Sequence, residues 1–154
     1  MWTCPQHKQR NYFNAVERGL SEEHYYQWFK EDINYKEIVG MGAAWQAESH
    51  YNYIKEHRPD ILNEIGKYQQ NDSLGGPKLW SAPTGTQLSP NTLRYIYTTI
   101  TIDNFFRFKK PIKVIELGVG YGGLCHTMNQ HYDIEEYKLV DVPCVEVFAT
   151  KYLN

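Results

Sequence analysis

The sequence predicts an α/β fold, in which a helical N-terminal cap is followed by a strand–helix–strand–helix unit. Three observations carry this. The first seventy residues place apolar side chains at helical spacing. Ile112 to Leu117 (IKVIEL) is a short apolar run that ends in glycines, as a buried parallel strand does. A second such run, Tyr137 to Val140, ends at Asp141 and is followed by Pro143 and another helical stretch. The change of character divides the chain into 1–88, helical and ending in a Pro/Gly-rich loop at 71–90, and 89–154, the cofactor-type unit.

In order along the chain, Pro5 to about Leu20 reads as a helix with Tyr12, Phe13 and Val16 on one side. Ser21, followed by Glu22 and Glu23, has the chemistry of a helix start, because a hydroxyl caps free amides and acids suit the positive end. Tyr35 to Val39 is a short helix or turn closed by Gly40 and Gly42. Ala44, Ala47, Tyr51 and Ile54 share one face of the next helix. Pro59 begins another, with Ile61, Leu62, Ile65 and Tyr68 on its face. Asn71 to Pro90 is long for a plain connector. Ser89 and Pro90 then suit the cap and first turn of a helix carrying Leu93, Ile96, Tyr97 and Ile100, although Thr98 to Ile102 is β-branched enough for a strand. A helix from Tyr121 to about Tyr132 and another from Val145 to Leu153 complete the unit, whose parallel strands require a crossover.

Composition narrows the function classes. At 154 residues the chain suits one domain. With 15% aromatic residues and a net charge of −2, it is neither disordered nor a rod. A pI near 6.3 argues against a strong nucleic-acid binder. No apolar run approaches the ~20 residues of a membrane span, and the start lacks the pattern of a secretory signal. Cys4, Cys125 and Cys144 are odd in number and far apart, which suggests reduced thiols and a cytoplasmic setting. The 13 tyrosines suit half-buried helix faces.

The chemistry lies in Glu116-Leu-Gly118-Val-Gly120-Tyr121-Gly122-Gly123. A strand ends and a helix begins across glycines, which permit positive φ and close approach of a ligand to the backbone. Asp141, at the end of the next strand, is placed to accept hydrogen bonds from both hydroxyls of a ribose. Gly118, Gly120 and Gly123 also satisfy the dinucleotide spacing GxGxxG, so NAD(P) is one reading. Glu116 two places before the first glycine, the third alternate glycine Gly122, and the late position of the strand favour S-adenosylmethionine, which has no pyrophosphate. A glycine-rich turn without a ligand is the third reading.

The stretch VIELGVGYGG followed by YKLVDVPCVEVFATKYL resembles the sugar O-methyltransferases, with their EIGGGYGG loop and later DLP. NDSLGGP (Asn71 to Pro77), LSPNTLRYIY (Leu88 to Tyr97) and Tyr35-Lys-Glu-Ile are similar to further segments of that family, so the resemblance spans roughly 35–153. Val119 and Val142 depart from the pattern. The resemblance implies the first half of a Rossmann-like doubly wound sheet and methyl transfer from S-adenosylmethionine to a hydroxyl, on a glycan or small molecule. It assigns the cofactor to Glu116, Gly118, Gly120, Tyr121, Gly122 and Asp141, and makes Asp72 and Arg94 candidates for an acceptor or cofactor loop. Only 38 residues follow Glu116, so the chain reads as truncated after the second strand–helix unit. Later strands would carry the acceptor site and the base, which leaves the catalytic residue unassigned. A non-catalytic cofactor-binding or interaction module is the alternative, and two bare strand edges invite self-association.

Other candidates are weaker. His24, His50, His57, His126 and His131 form no metal-ligand spacing, so no metal is expected. Cys125 reads as a packing residue and Cys144 as a neighbour of the adenosine without a base. Lys109 and Lys110 read as a solvated corner.

Overall fold

The computed structural model describes residues 6–109 and 111–154. Pro5, Cys4 and Lys110, and the expectations resting on them, lie outside the described residues.

The chain is α/β, with eight α-helices, one short antiparallel hairpin and one parallel pair of strands among the described residues. Helix α1 (Gln6–Ser21) turns Tyr12, Ala15, Val16 and Gly19 inward. Ser21 does not start a helix. It is the last residue of α1, and its hydroxyl donates back to the Glu17 carbonyl at 2.9 Å. The i→i−4 ladder continues through Glu22 N–H to Arg18 O, reinforced by the Arg18–Glu22 ion pair one turn apart, so the chain restarts only at α2 (Glu23–Tyr26).

A 3-10 turn (Phe29–Glu31) leads to α3 (Ile33–Val39), capped at its start by the Asp32 carboxylate on Asn34 N–H and closed by Gly40 in the left-handed region. Helix α4 (Ala44–His57) buries Ala47, Tyr51 and Ile54, while Ala44 stays exposed. Pro59 opens α5 (Pro59–Leu62), which gives way to a 3-10 segment (Ile65–Asp72) burying Ile65 and Tyr68.

Part of the long loop is ordered. β1 (Trp80–Ser81) pairs antiparallel with β2 (Gln87–Leu88). The two-residue strands are too short to print an alternating pattern in the sequence. Helix α6 (Pro90–Phe106) follows, with Thr92 N–H donating to the Ser89 hydroxyl at 3.1 Å. The β-branched stretch is helical: Thr99 and Thr101 satisfy their hydroxyls on the carbonyls of Tyr95 and Tyr97, and Leu93, Ile96 and Ile100 bury against α4 and the segment after it.

β3 (Ile112–Leu117) pairs in parallel with β4 (Ile134–Val140), with a register irregularity between Ile112 and Lys113. β4 starts three residues earlier than the apolar run suggests, because Ile134 pairs with Ile112. Helix α7 (Gly123–Asn129) is shorter than expected, since Tyr121 is spent in the glycine turn. Helix α8 (Pro143–Leu153) starts at its proline. The observed sheet is this two-stranded parallel pair.

The cap and the strand unit share one core. Phe29 meets Tyr35, Phe148 and Tyr121 edge-on at centroid distances of 5.0, 4.9 and 5.8 Å. Each such pair is worth about 0.5–1.5 kcal/mol beyond its buried area. Tyr12, Tyr25, Tyr26, Tyr121 and Tyr152 belong to the same cluster, so tyrosine serves mainly as packing.

Candidate functional site

The site begins where the parallel strands end. Leu117 lies opposite Val140, and Gly118 N–H donates to the Val140 carbonyl at 2.9 Å. That bond brings the glycine turn after β3 beside Asp141 after β4. Gly118 has φ +78°, and a Cβ built there would meet nothing within 4 Å. The turn is thus open to a ligand at this glycine. Gly122 is different: at φ +86° its α-carbon faces Leu153 of α8, 3.1 Å from a built Cβ. It shapes the turn from behind.

A cleft of about 390 Å³ opens on this turn. Its floor holds Glu116, Gly118, Gly120 and Asp141, with Val119, itself part of the core, in the wall. Tyr12 of α1, Ile38 and Val39 of α3, and Arg94 and Tyr95 of α6 form the remaining walls. The helical cap therefore completes a pocket that begins at the strand ends.

Comparison with protein-family models, with curated proteins and with solved structures returns no match. The reading of the cleft rests on its own chemistry.

Three charges define that chemistry. Glu116 is half-buried, and loss of water pushes its carboxyl above the ordinary value. The Tyr137 hydroxyl donating at 2.7 Å opposes this, and the nearby Asp141 charge adds to the rise. Asp141 is held in place by the backbone. Its Oδ1 accepts from Val142 N–H at 2.8 Å and its Oδ2 from Gly120 N–H at 3.4 Å, while its own N–H donates to Glu146 Oε1. Arg94 donates to the carbonyls of Gly40 and Val39 at 3.0 and 3.3 Å, and no carboxylate pairs with it among the described residues. A guanidinium has five N–H donors, so Arg94 keeps capacity for an anionic group.

The sequence-predicted residues divide accordingly. Glu116, Gly118, Gly120, Asp141 and Arg94 come together in the cleft. Tyr121 is fully buried instead, packed between Phe29, Tyr95 and Tyr152, so it supports the turn from below. Asp72 lies outside the cleft. Its carboxylate accepts from Ser89 N–H at 2.7 Å and from the Thr92 hydroxyl at 2.8 Å, which ties the 3-10 segment to the start of α6.

The rest is structural. Burial pushes the Cys125 thiol up to about 12, which disfavours its thiolate and fits a packing role. No group of His, Cys, Asp and Glu among the described residues is arranged to hold a metal ion. No helix among them is long and apolar enough to cross a membrane. Sequence reasoning missed Tyr137, Tyr95, Tyr12 and the α3 residues. Tyr137 was within reach: in the parallel register it faces Val114, so it shares a face with Glu116.

Proposed function

We propose that the cleft binds S-adenosylmethionine and that the chain serves methyl transfer to a hydroxyl, on a sugar as the sequence resemblance implies. The observation that carries this is the convergence of Glu116, Gly118, Gly120 and Asp141 at the ends of two adjacent parallel strands, with Arg94 on the facing wall. The volume falls in the usual range of small-molecule sites, roughly 300–1,000 Å³.

The donor set suits the ligand group by group. A ribose diol needs a fixed acceptor, and Asp141 is fixed by two backbone amides. An ammonium needs an acid, and Glu116 keeps Oε1 free of the Tyr137 bond. An α-carboxylate needs a cation with spare donors, which Arg94 has. The bound cofactor supplies an electrophilic methyl group. The chain's own part is to hold and align, an effect worth roughly 7–11 kcal/mol when both reactants are fixed.

The dinucleotide reading keeps one supporting observation. Gly123 packs so closely that a Cβ would lie 2.5 Å from the Tyr95 ring and 2.6 Å from Tyr121, as the third glycine of GxGxxG does against its neighbours. Two carboxylates beside the turn disfavour a diphosphate.

The test is amide NMR with S-adenosylhomocysteine. Shifts confined to Gly118, Gly120, Asp141 and Arg94 support the proposal. Shifts centred elsewhere, or saturation by NAD alone, contradict it. A methyl-release assay on mixed glycans then separates an enzyme from a binding module that uses the same residues without turnover.

A further inference from the structure

β3 and β4 bury one face and bare the other. On the bare face stand Lys113, Ile115 and Leu117 from β3, and Glu136, Lys138 and Val140 from β4. Ile115 is 66% exposed and Leu117 76%. Val140 and Val142 prolong the apolar end of the patch. Parallel strands are almost always covered on both faces, so this face is made to be covered.

The register says by what. Lys113 lies beside Glu136, Ile115 beside Lys138 and Leu117 beside Val140. A two-fold axis parallel to the strands, above the midline of the pair, lays β3 of one copy over β4 of the other with strand directions preserved. Every row then meets its own partner row. Lys113 faces Glu136 of the second copy, Leu117 faces Val140, and Ile115 lies along the aliphatic stem of Lys138. Each of these contacts occurs twice. The Lys113/Glu136 and Leu117/Val140 rows are thus complementary to themselves, while Lys138 keeps its partner Glu136 on its own strand, 3.3 Å away.

We propose that this face is a homodimer interface, formed by packing the β3–β4 pair of one copy on that of another. Two aligned sheets pack about 10 Å apart with strands within ~30° of each other, which this arrangement permits. The patch is only two strands wide, below the ~800 Å² per partner of a standard interface, so the dimer is weak and concentration-dependent. It uses no residue of the cleft floor, and its failure leaves the cofactor reading untouched.

Sedimentation velocity over a wide concentration range tests it. The expected result is a reversible monomer–dimer equilibrium, weakened at least tenfold by Leu117→Lys or Lys113→Glu and recovered in Lys113→Glu/Glu136→Lys. The intrachain Lys113–Glu135 and Lys138–Glu136 pairs are exposed on both sides, so their loss leaves thermal unfolding nearly unchanged and the variants remain folded. A chain that stays monomeric at the highest concentration overturns the proposal. So does a dimer indifferent to these substitutions, which would point to pairing through a strand edge or through the exposed Phe105 and Phe106 at the end of α6.

Discussion

The Tyr137 hydroxyl donates to Glu116 Oε2 at 2.7 Å across the parallel pair. The bond fixes the carboxylate at the strand end and leaves one oxygen for a ligand. It also sets up a conflict between stability and binding. Glu116 has a folded-state pKa above its ordinary value, chiefly through burial. The folded protein holds that proton more tightly than the unfolded chain. The resulting stability is present below the ordinary carboxylate pKa and is lost as pH rises through the folded one. At neutral pH the ionised group therefore costs stability.

Glu116→Gln should relieve that cost, because the amide carbonyl still accepts from Tyr137. The melting temperature should rise at pH 7, with the difference closing in acid. Affinity for S-adenosylhomocysteine should fall roughly 10- to 100-fold through loss of a charged hydrogen bond of about 1.5–3 kcal/mol. Thermal melts and calorimetry check both halves.

Two glycines should respond differently to alanine. Gly118→Ala meets no atom but adopts a positive φ, so it should cost about 1–2 kcal/mol while placing a methyl group where the ligand approaches. Gly123→Ala drives a carbon into the Tyr95 and Tyr121 rings and should cost about 1–3 kcal/mol by overpacking. Urea unfolding reads the stability costs. Binding normalised to folded protein should fall only for Gly118→Ala.

Asp72→Ala should destabilise the chain by about 1–3 kcal/mol, because it strips acceptors from Ser89 N–H and the Thr92 hydroxyl. Cofactor affinity should stay unchanged. A fall in affinity with stability intact would return Asp72 to the site.

Lys30 gives a pH signature. Its side chain is 1% exposed, and Nζ donates to the Asn71 carbonyl at 2.6 Å and the Tyr152 hydroxyl at 3.1 Å, with the Tyr121 ring 4.5 Å away. Burial lowers its pKa to about 7, against a smaller upward pull from Asp72. The unfolded chain then binds a proton that the folded one releases. Stability should rise from about pH 7 toward pH 10, by an amount on the order of a few kcal/mol. Above pH 10 the buried tyrosines Tyr35 and Tyr121 act in the opposite sense, since folding holds their protons. Lys30→Met should flatten the rise in denaturation curves taken at several pH values. An unaltered slope would assign it to other groups.

The strand unit was legible because its signals are local. An apolar run, a glycine turn and Asp141 lie within 30 residues, and the parallel pair joins them as read. The start of α6 was legible for the same reason, through Ser89 and Pro90. Ser21 misled because a hydroxyl that caps amides also bonds back to the preceding turn, as it does here on Glu17 O, with the Arg18–Glu22 pair extending the same turn. The cleft walls were not legible. Tyr12 and Val39 reach the glycine turn only through packing of the cap, which no spacing encodes; Arg94 was singled out by the resemblance alone. Tyr121 and Asp72 carried motif positions, but tertiary contacts assign them to the core and to a helix start.

The proposed function stands or falls with Glu116, Asp141 and the Gly118 turn as a site for S-adenosylmethionine. Calorimetric titration of the chain and of Asp141→Asn with S-adenosylhomocysteine and with NAD tests it most directly. Saturable binding of S-adenosylhomocysteine is expected, weakened by about 1.5–3 kcal/mol in Asp141→Asn, with no comparable binding of NAD. Preference for NAD, or an affinity indifferent to Asp141, would contradict it.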